Sequence, residues 1–417
     1  MTRTFRSLAL LLLLFRGSTT LAEAQPAPQP TAEPALERPG RYRLGPFYLT
    51  PRLRIGTIGL DTNVFYTAAD RRVDLSASGG PGLEIVLPVR RQLRLRVDGG
   101  VGYVYFLRTT SQRRLTWDGA AHVEWEGVRT QLHLSGTQGR SFGRPSEDVD
   151  VRVATSSAEL SGMLRRRLLG RTSIVLSGRA GRYETGRRDT FVGTDLYATM
   201  SRDFRVGGAA LEQALTVKSR FVVEGEIERN DFLADDTRDS DRWRIAGGFR
   251  TDVTALVSGR ALVGARWYRP RGAAAETPAT YADLDATWHL TRRTRLRGTY
   301  NRDLAYTYLA TAGRPTQLRE DYSAGFEKEL GRRFDVGFGA RRTRARTHSA
   351  VRVRLPSGEV LESVRIDDVR TATAELGYRL GSALRVGARA GYSDRRSNIA
   401  DFGIEGLLAG ATVTLQP

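Results

Sequence analysis

The chemistry open to this chain rests on arginine. Of its 65 basic residues only Lys218 and Lys328 are lysines, and against 46 acidic residues they leave a formal net charge of +19. A guanidinium is a rigid fork of donors that fits carboxylate, sulfate and phosphate oxygens two at a time. An arginine-rich codon usage would give the same count, so position matters more than number. On alternating segments of the chain, Arg94, Arg96, Arg179, Arg244, Arg250, Arg266, Arg295, Arg297, Arg341, Arg385 and Arg389 fall on the polar side. Glu124, Glu224, Glu226, Glu228, Asp283, Asp285, Asp321, Glu327 and Glu375 fall there too. One reading is a lattice of cross-strand ion pairs that satisfies a polar interior. The other is segregated ladders, acidic at Glu224, Glu226 and Glu228 and basic at Arg295 and Arg297, that bind a passing polymer or select ions. The charge is dispersed rather than clustered in one element, which argues against nucleic acid as a partner.

Catalytic chemistry finds little purchase. The four histidines are His122, His133, His289 and His348. The first three sit mid-segment on the polar side, and no Ser or Asp is tied to His348 by spacing. No nucleophile elbow, zinc motif or phosphate loop is present, and a cysteine count of zero removes disulfides and thiolate metal sites. We expect neither an enzyme nor a bound cofactor or metal.

The elements that position these side chains follow from a period of two. Leu384, Val386, Ala388, Ala390 and Tyr392 alternate with Arg385, Gly387, Arg389 and Gly391, and a strand turns successive side chains to opposite faces. Eighteen such strands are predicted. They span 49–59, 76–87, 93–106, 115–126, 130–140, 151–164, 171–184, 194–215 and 220–230, then 241–251, 258–269, 280–290, 294–308, 318–330, 334–347, 367–380, 384–393 and 403–415. Tight connections such as 127–129, 291–293, 331–333 and 381–383 alternate with longer polar loops such as 60–74, 141–150, 232–240 and 313–316. The longest insert, 350–367, reads as a hairpin projecting from the outer rim. No apolar run is long enough for a membrane helix, and the mean hydropathy is −0.37. A closed barrel needs apolar residues only at every second position to face lipid. The fold class is therefore all-β, a single antiparallel transmembrane barrel of about 18 strands, with short periplasmic turns, longer outer loops and 16–18-strand dimensions that admit a channel.

Aromatic spacing agrees. Trp117 and Trp125 share one face of one strand, roughly 20 Å apart along a tilted barrel axis, close to the height of an apolar band with an aromatic girdle at each edge. Trp243 and Trp267 are expected at outer ends and Trp288 at an inner end.

Ahead of the barrel, Arg3 and Arg6 precede a short apolar run from Ser7 to Phe15, and Ala22-Glu23-Ala24 fits a small-x-small cleavage site. Residues 1–24 are expected to be a signal peptide, 25–47 a proline-rich periplasmic tail and 48–417 the barrel.

The first strand and loop carry a resemblance. Gly45-Pro46-Phe47-Tyr48-Leu49-Thr50-Pro51 is followed by Asp61-Thr62-Asn63-Val64-Phe65 and then Pro81-Gly82-Leu83. This resembles a family of outer-membrane β-barrel porins whose members often sit in exopolysaccharide gene clusters. Asp61, Asn63, Val64 and Phe65 match the family's loop motif, and Asp and Asn are also the residues that close turns on their own backbone. The chain departs from the usual barrel pattern in ending Thr414-Leu415-Gln416-Pro417 instead of in an aromatic residue. The resemblance implies a Gram-negative outer-membrane pore that exports a polysaccharide, paired with a periplasmic synthesis or export complex. Lipid and lipopolysaccharide are expected at the wall, and an anionic polysaccharide in the lumen. The alternatives are an anion-preferring diffusion porin, marked by an inward-folded outer loop with segregated charges, and a plugged structural or attachment barrel.

Overall fold

The computed structural model describes residues 42–67, 71–251, 256–271, 276–309, 315–354, 360–381 and 384–415. The expected signal peptide and nearly all of the proline-rich tail lie outside these residues, as do Gln416 and Pro417 at the end and 355–359 of the predicted hairpin.

Eighteen long strands form the wall. They are β1 (Phe47–Asp61), β2 (Asp74–Arg90), β3 (Leu93–Phe106), β4 (Arg114–Glu126), β5 (Thr130–Gly143) and β6 (Val153–Arg167). Then come β7 (Thr172–Thr185), β8 (Arg202–Ala214), β9 (Ser219–Phe232), β10 (Ser240–Thr251), β11 (Val257–Pro270) and β12 (Thr277–Thr291). The last are β13 (Thr294–Tyr306), β14 (Thr316–Leu330), β15 (Phe334–Thr347), β16 (Ile366–Leu380), β17 (Leu384–Ser397) and β18 (Ile404–Leu415). Each pairs antiparallel with its sequence neighbours, and β1 closes on β18 from Leu53 opposite Leu415 to Asp61 opposite Leu408. A register shift in β1 between Ile55 and Ile58 bends the strand at this closure. With no free edge, every backbone group of the wall can find a partner within it.

The period of two decides which face is which. Leu160, Ile227 and Val263, in the middle of their strands, are 61%, 67% and 64% exposed. Exposure of that size on so many large apolar residues is tolerable only where the surrounding medium is itself apolar. At the long-loop end, Trp243 stacks on Trp267 with centroids 6.3 Å apart. At the other end Phe334 meets Tyr378 at 4.7 Å, and Trp288 stands 49% exposed.

Connections at one end are two to five residues long and at the other six to eighteen. The short end is the inner mouth and the long end the outer mouth of an outer-membrane barrel. Tight inner turns need left-handed backbone, which Gly170 (φ +61°) and Gly331 (φ +72°) supply without a Cβ clash.

Two departures from the predicted strands matter for the interior. The predicted strand 194–215 starts only at Arg202; before it lies a short helix, α1 (Leu196–Met200). Asp195 caps that helix by accepting from the N–H groups of Tyr197 (2.8 Å) and Ala198 (3.2 Å), and the i, i+4 pair Leu196 and Met200 is buried inside the barrel mouth.

The second departure lies at the outer end of β13. Its pairing with β12 stops at Ala282 opposite Arg302, although both strands continue outward on their other sides. Side chains replace the missing partners: the Leu304 N–H donates to Asp303 Oδ1 (2.8 Å) and its carbonyl accepts from Arg242 (3.2 Å). Freed from β12, Leu304 and Tyr306 are buried at 2% and 5% exposure, although alternation from Arg295 and Arg297 would aim them outward. A shorter gap between β4 and β5, beyond Trp117 opposite Arg140, is spanned by Arg114 over the Phe142 ring at 5.2 Å.

Candidate functional site: the lumen and its two mouths

The inward face carries the arginines and carboxylates expected there, joined pair by pair across neighbouring strands. Glu224, Glu226 and Glu228 form one ladder on β9. Their partners stand on β10 and β11: Arg244 lies 2.9 Å from Glu224 and 3.3 Å from Glu226, Arg266 lies 3.1 Å from Glu226, and Arg242 holds Glu228. Arg266 also reaches Asp303 on β13 at 2.9 Å. Elsewhere Arg295 pairs with Glu327 (2.6 Å), Arg297 with Asp285 (2.7 Å), Arg341 with Asp321 (2.9 Å) and Arg385 with Glu375 (2.8 Å). Arg260 holds Asp283, and Arg94 stands 3.5 Å from Glu124. Arg96 lies 3.7 Å from Asp98, Arg250 2.9 Å from Glu212, and Arg179 sits over the Phe204 ring at 5.5 Å. Arg389, on the Arg385 face of β17, stays exposed. Single-sign runs thus exist within strands, but each lies beside its opposite. Taking a charge out of water costs several kcal/mol unless it is paired, roughly the attraction recovered by a good partner, so these pairs keep a polar wall folded more than they add stability.

Two of the histidines have polar partners. His122 Nε2 stands 3.4 Å from Asp98, while Ser135, opposite it in register, shares its hydroxyl hydrogen bond with Ser161 (2.7 Å). His348 bonds Thr316 at the outer rim.

Above the ion-pair lattice lies an aromatic layer. Phe232, Tyr268, Leu304 and Tyr306 form one buried cluster, in which Phe232 and Tyr268 meet Tyr306 edge-on at 5.8 and 5.9 Å. Arg242 sits over Tyr306 at 4.7 Å, and Arg202 lies within 6 Å of Tyr183, Phe232, Tyr306 and Tyr308. Tyr183 and Tyr268 belong to this region, and Phe106 lies under Arg152 at 5.1 Å. Tyr306 escaped sequence reading because β13 leaves β12 beyond Arg302, so that the side of the strand that alternation assigns to lipid packs against Phe232, Ser240 and Tyr268. Arg238, in the loop after β9, donates to the Thr307 carbonyl (2.6 Å), and burial pushes its guanidinium below the ordinary arginine range.

The outer mouth is crossed by the loop between β5 and β6, residues 144–152. Its three carboxylates each find a partner on the far wall. Glu147 lies 3.1 Å from Arg319 and 3.4 Å from Arg341; Asp148 accepts from the Thr307 hydroxyl (3.1 Å) and the Tyr308 N–H (2.9 Å); Asp150 is held by Arg395 and by Arg144 at 2.9 Å. Arg365 donates to the Asp148 carbonyl at 3.1 Å. β5 and β6 stand roughly opposite β14–β17 in an eighteen-strand ring, so these bonds span the lumen. Val149, fully buried, packs with Val153, Tyr183, Leu196 and Met200, and a second cluster of Leu309, Val351, Val353, Ile399 and Phe402 fills beside it.

The family-like loop motif anchors this crossing loop from the near side. Asp61 Oδ1 accepts from the Asn63 N–H (3.0 Å), and Asn63 donates to the carbonyls of Thr67 (2.9 Å) and Glu405 (3.0 Å). Asp61 Oδ2 then takes Arg152 at 2.8 Å, and Arg152 also donates to the Val64 carbonyl at 3.1 Å. Val64 is fully buried, and Phe65 packs under Arg72. The turn-closing role of Asp61 and Asn63 is what the geometry shows. The one signal in the sequence for the crossing loop was Glu147-Asp148-Val149-Asp150, an acidic run around a valine in a strongly basic chain.

The inner mouth differs. Among the described residues its ion pairs join strands at most two apart, as Arg165, Arg220 and Arg250 do around Glu212, Arg379 with Glu329 and Arg385 with Asp335.

The solved structures to which the chain is similar include three outer-membrane or transport proteins. The alcaligin outer membrane receptor FauA from Bordetella pertussis is 12% identical, with 87% of this chain and 63% of that one aligned at a TM-score of 0.40. The copper transporter OprC is 11% identical over 91% and 66% of the two chains at 0.47, and the FrpB iron transporter from Neisseria meningitidis 9% identical over 87% and 63% at 0.45. The chain spans under two thirds of the length of these proteins' chains, and no curated protein matches it. A family model does: residues 34–417 match the one described as "Putative beta-barrel porin 2". With a closed eighteen-strand wall, an apolar outer face and nearly the whole sequence matched, the chain belongs to that porin family and resides in the Gram-negative outer membrane.

Proposed function

We propose that this porin is a gated pore that passes an anionic exopolysaccharide outward, closed at rest by the loop 144–152. The observation that carries the reading is the layer of Tyr183, Tyr268 and Tyr306 interleaved with Arg202 and Arg242 directly beneath that loop. Ring faces suit the C–H faces of sugars, guanidinia suit uronate or sulfate groups, and the combination favours an acidic sugar polymer over a simple ion. The inward-folded loop favours a second reading, a diffusion porin for small anions, although the charges beneath it are paired and not segregated.

Proteoliposome flux separates the two. With the loop released by Arg395→Gln, a fluorescent oligouronate should cross faster than a neutral glucan of equal length, and Tyr268→Ala should slow it. Passage of chloride with exclusion of both oligosaccharides would leave the diffusion reading, and equal passage of both sugars would remove the role given to arginine.

A further inference from the structure

The inner rim is uneven in a way the pore alone does not require. Three adjacent turns carry apolar tips that stand almost fully in solvent: Val128 is 91% exposed, Leu169 86% and Val217 96%. The other fully described inner turns are Arg91-Gln92, Arg292-Arg293 and Gly331-Arg332-Arg333. Among the fully described inner turns, the apolar tips fall on the arc from β4 to β9. Between them lies a recess of about 410 Å³ lined by Arg129, Arg165, Arg167, Arg171 and Arg220 around Glu212. Glu212, 2% exposed, is saturated from within by Arg165 (2.5 Å), Arg250 (2.9 Å) and Arg220 (3.4 Å). The surface it leaves toward the periplasm is strongly cationic, and Lys218 extends it.

We propose that this arc is a docking surface for a periplasmic protein, through a segment that carries acidic residues flanked by large apolar ones. Charge complementarity assigns the acidic part to the recess, where the lining holds five arginines to one carboxylate. The apolar part follows from the grouping of the tips: Val128, Leu169 and Val217 stand on three adjacent turns around one recess, a set that a partner with apolar surface of its own covers together. A polyanionic sugar would use the arginines but has nothing to lay on Val128, Leu169 and Val217. The proposal rests on the reading of the barrel as an outer-membrane pore with this mouth in the periplasm; it is independent of the solute.

The test uses the full-length protein in nanodiscs and a fluorescent peptide repeating Glu-Leu-Ser-Glu, with binding read by anisotropy. Polyglutamate of equal charge and phosphatidylglycerol vesicles serve as competing probes. The peptide should bind, and both Val128→Ser/Leu169→Ser/Val217→Ser and Arg167→Gln/Arg171→Gln should weaken it about ten-fold. Arg332→Gln/Arg333→Gln, on the opposite arc, should leave it unchanged. These substitutions lie at exposed turns and, for Arg167, at the exposed end of β6, and retained heat-modifiable migration on gels shows that each variant is folded. Equal affinity for polyglutamate, with no effect of the serine variant, would overturn the docking surface in favour of a site for anionic polymers. Displacement of the peptide by the vesicles would assign the tips to lipid instead. Because peptide binding needs no conduction, its failure leaves the flux experiment, and the pore, untouched.

Discussion

The two mouths of this barrel are built from the same residue types and reach opposite outcomes. At the outer mouth, carboxylates on one loop cross the lumen to arginines on the far wall, with Asp150 and Arg395 6% and 2% exposed in their side chains. At the inner mouth, among the described residues, arginines outnumber carboxylates around the recess and hold only strands nearby, leaving that recess open to the periplasm. What differs is loop length. A turn of two to five residues cannot carry a side chain across an eighteen-strand ring, whereas loops of six to eighteen can fold in and bring their own apolar residues to cover the pairs. The crossing of the outer mouth is therefore held by buried, paired charge, and loosening one pair should act on that mouth alone.

Breaking that pair is the sharpest challenge. Arg395→Gln leaves Asp150 buried with Arg144 as its remaining ionic partner, and removal of one partner of a buried pair typically costs about 3–5 kcal/mol. We expect the loop 144–152 to detach at a smaller cost than unfolding the wall. Limited proteolysis should cut between Arg144 and Arg152 in the variant and spare the wild type; a resistant loop would mean that the Val149 cluster holds it without the ion pair. A wall substitution should behave differently. Val263→Arg places a charge in mid-strand on the lipid face, where the cost is about 2–4 kcal/mol, and it should lower the guanidinium unfolding midpoint without exposing the loop to protease. Smaller still is Asp61→Asn, which keeps the turn but removes the charge that meets Arg152. A loss of about 1–3 kcal/mol of loop anchoring, seen as faster amide exchange at 149–153 with the wall unchanged, would confirm that the family-like motif serves the lid; exchange slowed or unaltered would detach the motif from it.

The wall was legible in the sequence because it depends on local pattern. Alternation across Leu384–Tyr392 and glycines at Gly331 and Gly381 located strands and turns to within a few residues, and the inward arginines and glutamates followed by parity. The crossing loop was not legible. Asp148 bonds to residues near 307 and Asp150 to Arg395, so its fold rests on contacts more than 150 and 240 positions away. Nor was α1, whose Leu196 and Met200 lie in a stretch that also alternates well enough to pass for a strand. Leu304 and Tyr306 show the limit most clearly: parity put them in lipid, and only the interrupted pairing of β12 and β13, stabilised by Asp303 and Arg242, turns them into the aromatic layer.

The central claim is that the pore is closed at its outer mouth by a loop held by buried charge. Single-channel recording in planar bilayers, wild type against Arg395→Gln, tests it most directly. We predict a wild type that is closed for most of the record and a variant with long-lived open steps, blocked by an oligouronate added from the inner side. Steady conductance of equal size in both proteins would contradict the claim, because the loop would then not be what closes the lumen.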